Sequence, residues 1–172
     1  MSVSIAVETP LQDDVRALVV RLNDHLLPLS PLEYQFKMTV EQMADSATTL
    51  FVARDAAGRA IGMGALKMHG PDLGEVKRMY TVPEVRGQRV GRQLLERIVD
   101  LARERGLPVV MLETGTGDGM AEAHRLYTRY GFVPRGPFLD YPDSEWSAFF
   151  EMDLTSPALV ATADVTNERE LL

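Results

Sequence analysis

The sequence predicts an α/β fold in which an antiparallel meander of strands leads into a strand–helix–strand–helix unit. Two observations predict it. In the first half of the chain, short apolar runs are separated by turn signals at residues 55–58 and 70–72. After Pro83 the apolar spacing changes to the helical period of a long amphipathic segment. These patterns are typical of a mixed, mostly antiparallel sheet flanked by helices.

The first half of the chain carries two predicted helices and four predicted strands. Residues 4–8 alternate weakly, which predicts a first strand. Asp13 or Asp14 is expected to cap a helix that Pro28 and Pro31 end. Its apolar face comprises Val15, Leu18, Val19 and Leu22. A second short helix is predicted at 32–44, and strands are predicted at 49–54, 60–68 and 74–82.

The second half carries two more helices and three more strands. The long helix has Val90, Leu94, Leu95, Ile98, Leu101 and Ala102 on its apolar face. Gly106 and Pro108 end that helix, and the apolar run 109–113 then predicts a buried strand. A shorter helix carries Ala123, Leu126, Tyr127 and Tyr130, and strands at 132–134 and 148–154 close the fold.

A chain of 172 residues supports one hydrophobic core, so residues 1–154 are expected to form a single domain. Residues 155–172 are polar and lack an apolar period. This tail is expected to lie outside the core, where it is either disordered or in contact with a partner subunit.

Composition excludes several classes of protein. No apolar run approaches the roughly 20 residues of a transmembrane helix, and no secretory signal is visible at the N-terminus. The chain has no cysteine, which excludes disulfides, thiolate metal sites and a cysteine nucleophile. A cytoplasmic protein is therefore expected. The net charge of −7 argues against binding to nucleic acid or to an acidic membrane.

The charge is nevertheless unevenly distributed. Residues 77–105 contain eight basic and four acidic residues, whereas the rest of the chain carries a net charge of −11. A basic segment on an acidic protein suggests a small anionic ligand. The alternative is that arginine and glutamate side chains simply cover a solvated helix face.

A candidate phosphate-binding turn lies where a predicted strand ends and the long helix begins. Its sequence is Val82-Pro-Glu-Val-Arg86-Gly87-Gln88-Arg89-Val90-Gly91-Arg92. The start of a helix presents unpaired N–H groups and the positive end of the dipole, which favour anions. Glycines allow a ligand to approach the backbone closely, and the arginines can add charge-assisted contacts. Neither a nucleotide-triphosphate loop nor a three-glycine dinucleotide motif is present.

Here the chain resembles the GNAT superfamily of N-acetyltransferases. The family signature is Arg/Gln-x-x-Gly-x-Gly/Ala, and Arg86-Gly-Gln-Arg-Val-Gly91 matches it except that Arg89 replaces the first glycine. The flanking Met79-Tyr-Thr-Val-Pro83 and the later Ala123-His-Arg-Leu-Tyr127-x-x-x-Gly131-Phe132 fit the same pattern. The resemblance is strongest to small bacterial members of unassigned substrate, which share the stretches 75–80 and 112–115.

The resemblance implies how acetyl-coenzyme A, the co-substrate, is held. The sheet is expected to have a splayed central strand pair. The pantetheine arm would pair with the strand that contains Met79, Tyr80, Thr81 and Val82. The pyrophosphate would lie on the amides of residues 88–92, so the turn contributes Arg86, Gly87, Gln88, Arg89, Val90, Gly91 and Arg92 to the cofactor site.

The resemblance also places the catalytic acid at Tyr127. Coenzyme A leaves as a thiolate, and thiols have a pKa of about 8.5 against about 10 for tyrosine, so a phenol can protonate the sulfur near neutral pH. The alternative is that Tyr127 only contributes to the apolar stripe of its helix.

Glu75 is the candidate general base, because some family members place a glutamate at this position of the central strand. Strand alternation would put Glu75, Lys77, Met79 and Thr81 on one face if no bulge intervenes. The alternative is a surface glutamate that pairs with Lys77 or Arg78. Glu113 is a second candidate for the base.

Two further positions affect this interpretation. Met120 stands where the family usually has an asparagine or glutamine, so a side-chain hydrogen bond to the coenzyme is expected to be missing. His69 and His124 lack metal-ligand neighbours at a suitable spacing, and no metal is expected.

The predicted activity is acetyl transfer to a primary amine by direct attack in a ternary complex. A small-molecule amine is the first choice of acceptor, and a protein lysine or N-terminus is the second. A coenzyme-A-binding sensor or subunit without turnover is the alternative from another class. Members of the superfamily often dimerise, so a homodimer is a further expectation.

Overall fold

The computed structural model describes residues 1–156, which form seven strands and four α-helices. The strands are β1 (Val3–Val7), β2 (Thr48–Asp55), β3 (Ala60–His69), β4 (Leu73–Thr81), β5 (Val109–Gly115), β6 (Val133–Arg135) and β7 (Ser147–Asp153). The helices are α1 (Asp13–Leu26), α2 (Val40–Met43), α3 (Val90–Glu104) and α4 (Ala121–Tyr130). From residue 157 onward, the predicted tail lies outside the described residues.

All seven of these strands belong to one sheet in the order β1-β2-β3-β4-β5-β7-β6. Strands β1 to β4 form an antiparallel meander, and β4 pairs with β5 in parallel through the crossover helix α3. Strand β7 pairs antiparallel with both β5 and β6. The predicted mixed, mostly antiparallel sheet is therefore confirmed.

Helix α3 packs closely on one face of the sheet because β3 has glycines beneath it. A Cβ atom added to Gly62 would lie 3.2 Å from Leu94, and one added to Gly64 would lie 2.9 Å from Ile98. Both helix side chains are fully buried. Helix α1 covers the other face, where His25 approaches the ring of Tyr80.

Two local predictions are wrong. Residues 32–44 form a short 3-10 turn and then α2, not one helix. Helix α2 has its own start, since the Thr39 hydroxyl accepts the Gln42 amide and the Gln42 side chain accepts the Thr39 amide. The N-cap position of α1 is Gln12, whose side chain makes no capping hydrogen bond, while Asp14 lies in the first turn and pairs with Arg54.

The central strands β4 and β5 separate after a short paired stretch. They pair only at Gly74 with Val110 and at Glu75 with Met111. Beyond these residues the two strands diverge, which leaves one edge of β4 without a partner strand. The predicted splayed pair is confirmed, and the opening locates the site.

None of the helices in residues 1–156 is both long enough and apolar enough to cross a bilayer.

Candidate active site

The opening between β4 and β5 contains a cavity of about 110 Å³. Its walls come from the C-terminal half of α1 and the following loop, from β4 and β5, and from the start of α4. The lining residues include Lys37, Lys77, Arg78, Glu113, Met120 and Tyr127.

A bulge in β4 determines which side chains enter this cavity. Arg78 has a φ of 56°, a left-handed conformation that non-glycine residues rarely adopt, and the register with β3 shifts beside it. Glu75 and Lys77 therefore point to the α1 side of the sheet, whereas Met79 contacts Gly64 on the α3 side. The expectation that Glu75, Lys77, Met79 and Thr81 share one face is wrong, because it required a strand without a bulge.

Past the bulge, the open edge of β4 has no partner strand, and the Arg86 guanidinium reaches the Thr81 carbonyl at 3.5 Å. The amide of Val82 donates to the carbonyl of Ile61 in β3. Because backbone groups of successive strand residues point in opposite directions within the sheet, those of Tyr80 face β3 and those of Met79 and Thr81 face the opening. This is the arrangement that an extended ligand needs to pair with β4.

The turn before α3 keeps a glycine-like backbone although the signature's first glycine is replaced. Arg89 lies in the left-handed region at φ 64° and ψ 17°, and Gly87 has a φ of 82°. Holding a non-glycine residue there costs on the order of 1 kcal/mol. Arg89 therefore has a backbone conformation that glycine adopts readily, and it adds an exposed guanidinium.

Only some of the N–H groups of this turn are used by hydrogen bonds within the turn. The Gln88 amide donates to the carbonyl of Val85, so it is already used within the turn. The first α-helical bond is donated by Gln93 to the carbonyl of Arg89. The amides of residues 90–92 precede that bond and are the unpaired donors of the helix start. The predicted anion site is thus geometrically suited to a pyrophosphate at Val90, Gly91 and Arg92.

Tyr127 lies on α4 with its ring buried at 6% exposure. The ring packs against Phe132 and Phe150, with centroid distances of 6.0 and 6.3 Å. Burial, and secondarily the charge of Glu113, raise the pKa of Tyr127 well above its usual value. The phenol therefore keeps its proton throughout the neutral and mildly alkaline range.

Glu75 is only 2% exposed and is part of a buried hydrogen-bonded network behind the cavity wall. Its Oε2 accepts a hydrogen bond of 2.6 Å from the Tyr141 hydroxyl, which in turn accepts one of 2.8 Å from the Lys77 ammonium. His69 Nε2 lies 3.0 Å from the other carboxylate oxygen. Burial lowers the pKa of Lys77. Glu75 is thus not the surface glutamate of the alternative interpretation, although Lys77 does lie 3.9 Å from it.

Glu113 lines the cavity directly, beside Tyr127. Its Oε1 accepts a hydrogen bond of 2.7 Å from the Ser147 hydroxyl. Burial raises the pKa of Glu113, and the hydrogen bond from Ser147 opposes this only in part. A carboxyl group with a raised pKa is a better proton acceptor near neutral pH than an ordinary glutamate.

Two positions flagged in the sequence have local packing partners. His124 Nε2 donates to the carbonyl of Gly115 at 2.8 Å, and Met120 packs over the same glycine. Within residues 1–156, no three histidine, aspartate or glutamate side chains are arranged to hold a metal ion.

The structure therefore brings Tyr127 and Glu113 together at one cavity. Glu75 does not line this cavity but contacts Lys77, which does. Sequence reasoning missed Tyr141 and Ser147, which hydrogen-bond these carboxylates. Tyr141 lies 66 residues from Glu75 in a loop, and no spacing signal connects the two.

Comparison with known proteins identifies the family. The model of the acetyltransferase (GNAT) family matches residues 16–132. An IAA acetyltransferase of Azospirillum brasilense is 40% identical over 154 residues, which cover 89% of this chain and 99% of that protein. An aminoalkylphosphonate N-acetyltransferase of Salmonella typhimurium is 34% identical over 80 residues, covering 44% of this chain and 51% of that protein.

Solved structures agree with this assignment. A protein assigned as an acyl-CoA N-acyltransferase from Klebsiella pneumoniae superposes with a TM-score of 0.73 at 30% identity, covering 88% of this chain and 97% of that one. The PaiA N-acetyltransferase of Thermoplasma acidophilum, solved with coenzyme A, shares the fold at 18% identity with a TM-score of 0.69, over 89% of this chain and 99% of that one. The predicted resemblance is confirmed: the chain belongs to the GNAT family of N-acetyltransferases and moves an acetyl group from acetyl-CoA to an amine.

Proposed function

We propose that the acceptor is a small primary amine, which attacks the thioester of acetyl-CoA directly while both substrates are bound. The observation that carries this proposal is that Tyr127 and Glu113 line the same cavity at the splay of β4 and β5. A proton donor for the leaving thiolate and a proton acceptor for the amine are thus available at the same place. The absence of cysteine leaves no thiol for an acyl-enzyme intermediate.

Residues of β4 and α3 would hold the cofactor, which supplies the activated acetyl group. The open-edge backbone of Met79 and Thr81 would pair with the pantetheine arm, and the amides of Val90, Gly91 and Arg92 would bind the pyrophosphate. The exposed guanidinium groups of the turn add counter-charge. The Met79 amide, which follows the bulge, faces the opening and is the candidate donor to the thioester carbonyl.

Tyr127 acts as the acid in this proposal. As the amine nitrogen bonds to the carbonyl carbon, the carbon–sulfur bond breaks and the sulfur takes the phenolic proton. The raised pKa of Tyr127 ensures that this proton is present over the working pH range.

Glu113 is the direct candidate for the base, because it lines the cavity and its pKa is raised by burial. Glu75, the residue favoured by the family pattern, reaches the cavity only through Tyr141 and Lys77. The two assignments differ in the path of the proton. Glu113 would receive the amine proton directly, whereas Glu75 would receive it through its hydrogen-bonded network.

A small acceptor is favoured over a protein lysine because the cavity is lined on several sides, by α1, β4, β5 and α4. The relative from Salmonella is likewise named for a small amine. A sensor that binds coenzyme A without turnover would have no use for Tyr127 and Glu113 at the splay. A cytoplasmic location and a homodimer stay predictions.

The proposal is tested by measuring free thiol released from acetyl-CoA across a panel of small amines and lysine peptides, with mass spectrometry of the products. We expect thiol and acetylated small amine in equal amounts. Tight binding of acetyl-CoA with no thiol released for any amine would indicate the sensor instead. Turnover confined to peptides would refute the small acceptor.

A further inference from the structure

Arg78 is a buried cation at the wall of the cavity, and residues 1–156 place no carboxylate within salt-bridge distance of it. The residue is only 8% exposed, and burial lowers its pKa to about 10, so it remains charged at neutral pH. Its hydrogen-bond partner within residues 1–156 is the neutral amide oxygen of Asn23, which accepts from Nη2. Its Nε–H is buried and has no acceptor in that part of the chain.

Such an arrangement is costly for the ligand-free protein. Burying an ionised group without a partner of opposite charge is strongly unfavourable, and an unsatisfied buried donor adds a further penalty. Arg78 also occupies the left-handed backbone conformation of the bulge, which adds strain at the same residue. Unpaired donors and strained residues concentrate where a ligand completes the interaction.

The charges around Arg78 indicate the sign of that ligand. The cavity wall carries three basic side chains and one acidic side chain, Lys37, Lys77, Arg78 and Glu113. Lys77 already has Glu75 at 3.9 Å, and Glu113 is the single carboxylate among the residues that line the wall. A wall of this kind disfavours a second positive group on the acceptor and attracts an anion.

We propose that Arg78 binds an oxyanion on the acceptor, a carboxylate or a phosphonate, so that the substrate is a short amino acid or amino phosphonate. This inference rests on the proposed function, because it places the amine of the same molecule at Glu113 and Tyr127. The guanidinium presents parallel N–H donors that match such a group. The anion would supply both the missing counter-charge and the acceptor for Nε–H.

The test uses matched acceptors that differ only in charge: β-alanine and β-alaninamide, with aminoethylphosphonate as the phosphonate arm. We measure kcat/KM for each in the wild type, in Arg78→Gln and in Asn23→Ala. The deciding quantity is the ratio of kcat/KM for the anionic acceptor to kcat/KM for the neutral one, compared between the wild type and each variant. Differences in basicity between the two amines cancel from this comparison. Arg78→Gln is expected to lower the preference for the anionic acceptors about tenfold to a hundredfold, the value of a charge-assisted hydrogen bond.

Asn23→Ala is the matched control, since it removes the bond between Arg78 and α1 but leaves the guanidinium. We expect it to keep most of the preference for anionic acceptors. If Arg78 only ties β4 to α1, the two variants will instead lower the rates of charged and neutral acceptors alike. That result overturns the inference while leaving the acetyltransferase activity established.

A binding measurement on the wild type does not depend on turnover or on any variant. With coenzyme A present, β-alanine is expected to raise the melting temperature more than β-alaninamide does. Equal shifts, or a larger one for the neutral amide, would overturn the oxyanion site. Failure of every amine to release thiol would contradict the proposed function separately, and the thermal shifts would still decide whether an anion binds at Arg78.

Discussion

Replacing Tyr127 with phenylalanine isolates the proton that is donated to the leaving sulfur. The substitution keeps the ring and therefore its contacts with Phe132 and Phe150. Within residues 1–156 no hydrogen bond involves the Tyr127 hydroxyl, so removing it breaks no interaction of the fold. The free energy of unfolding should therefore change by less than about 1 kcal/mol. The affinity for coenzyme A should also be retained.

The rate should respond very differently. Loss of a positioned acid typically lowers turnover about a hundredfold to ten-thousandfold, which corresponds to about 2.7 to 5.4 kcal/mol of barrier. Because the raised pKa keeps Tyr127 protonated, the deficit should stay constant from pH 7 to 9. This loss of turnover is measured by following thiol release in a stopped-flow instrument at saturating acetyl-CoA. Tyr130→Phe, the same change one turn along α4 and outside the cavity wall, is the control. Near-normal turnover in Tyr127→Phe would refute the assignment.

Two other sites make independent predictions. Gly91→Asp fits the free fold, since its Cβ would lie 3.4 Å from Leu126, but a carboxylate about 5 Å from a phosphate costs roughly 1–3 kcal/mol. Titration calorimetry should show that Gly91→Asp binds acetyl-CoA about five- to a hundredfold more weakly than the wild type. The affinity should change less in Gly91→Ala and in Arg92→Ala, whose side chain is exposed. Equal affinities in all of these proteins would show that the pyrophosphate does not bind at this turn. Because burial raises the pKa of Glu113, this residue becomes protonated at a pH above the usual glutamate pKa of about 4.3 as the solution is acidified. Its base form, and with it the activity, should be lost in that pH range. Glu113→Gln should remove this acidic decline from the pH–rate profile, and its turnover should recover near pH 10. Glu75→Gln should change the profile in the same way only if the relay through Tyr141 operates.

Local pattern predicted most of the fold. Helical spacing located α3 within a residue or two, and the meander followed from turn signals in the chain. The segment at 32–44 was mistaken for one helix because apolar spacing continues across Thr39, whose capping bonds start a new element. The start of α2 depends on these capping hydrogen bonds, and the spacing of apolar residues carries no information about them.

The bulge in β4 was the feature that sequence could not supply. No glycine or proline marks Arg78, yet its left-handed backbone moves Met79 and Thr81 to the opposite face from Glu75. The contact between Glu75 and Tyr141 spans 66 residues and depends on that face assignment. At Arg89 the sequence departs from the signature's glycine, yet the backbone is left-handed, a conformation that glycine adopts readily.

The central claim, direct transfer from acetyl-CoA to an amine at the splay, is tested most directly by a single-turnover experiment. Enzyme is mixed with a stoichiometric amount of acetyl-CoA, and free thiol and the intact mass of the protein are followed before and after a small amine is added. We expect no thiol and no acetylated protein before the amine is added, and then one thiol for each amine acetylated. Acetylated protein or a burst of thiol before the amine arrives would contradict it.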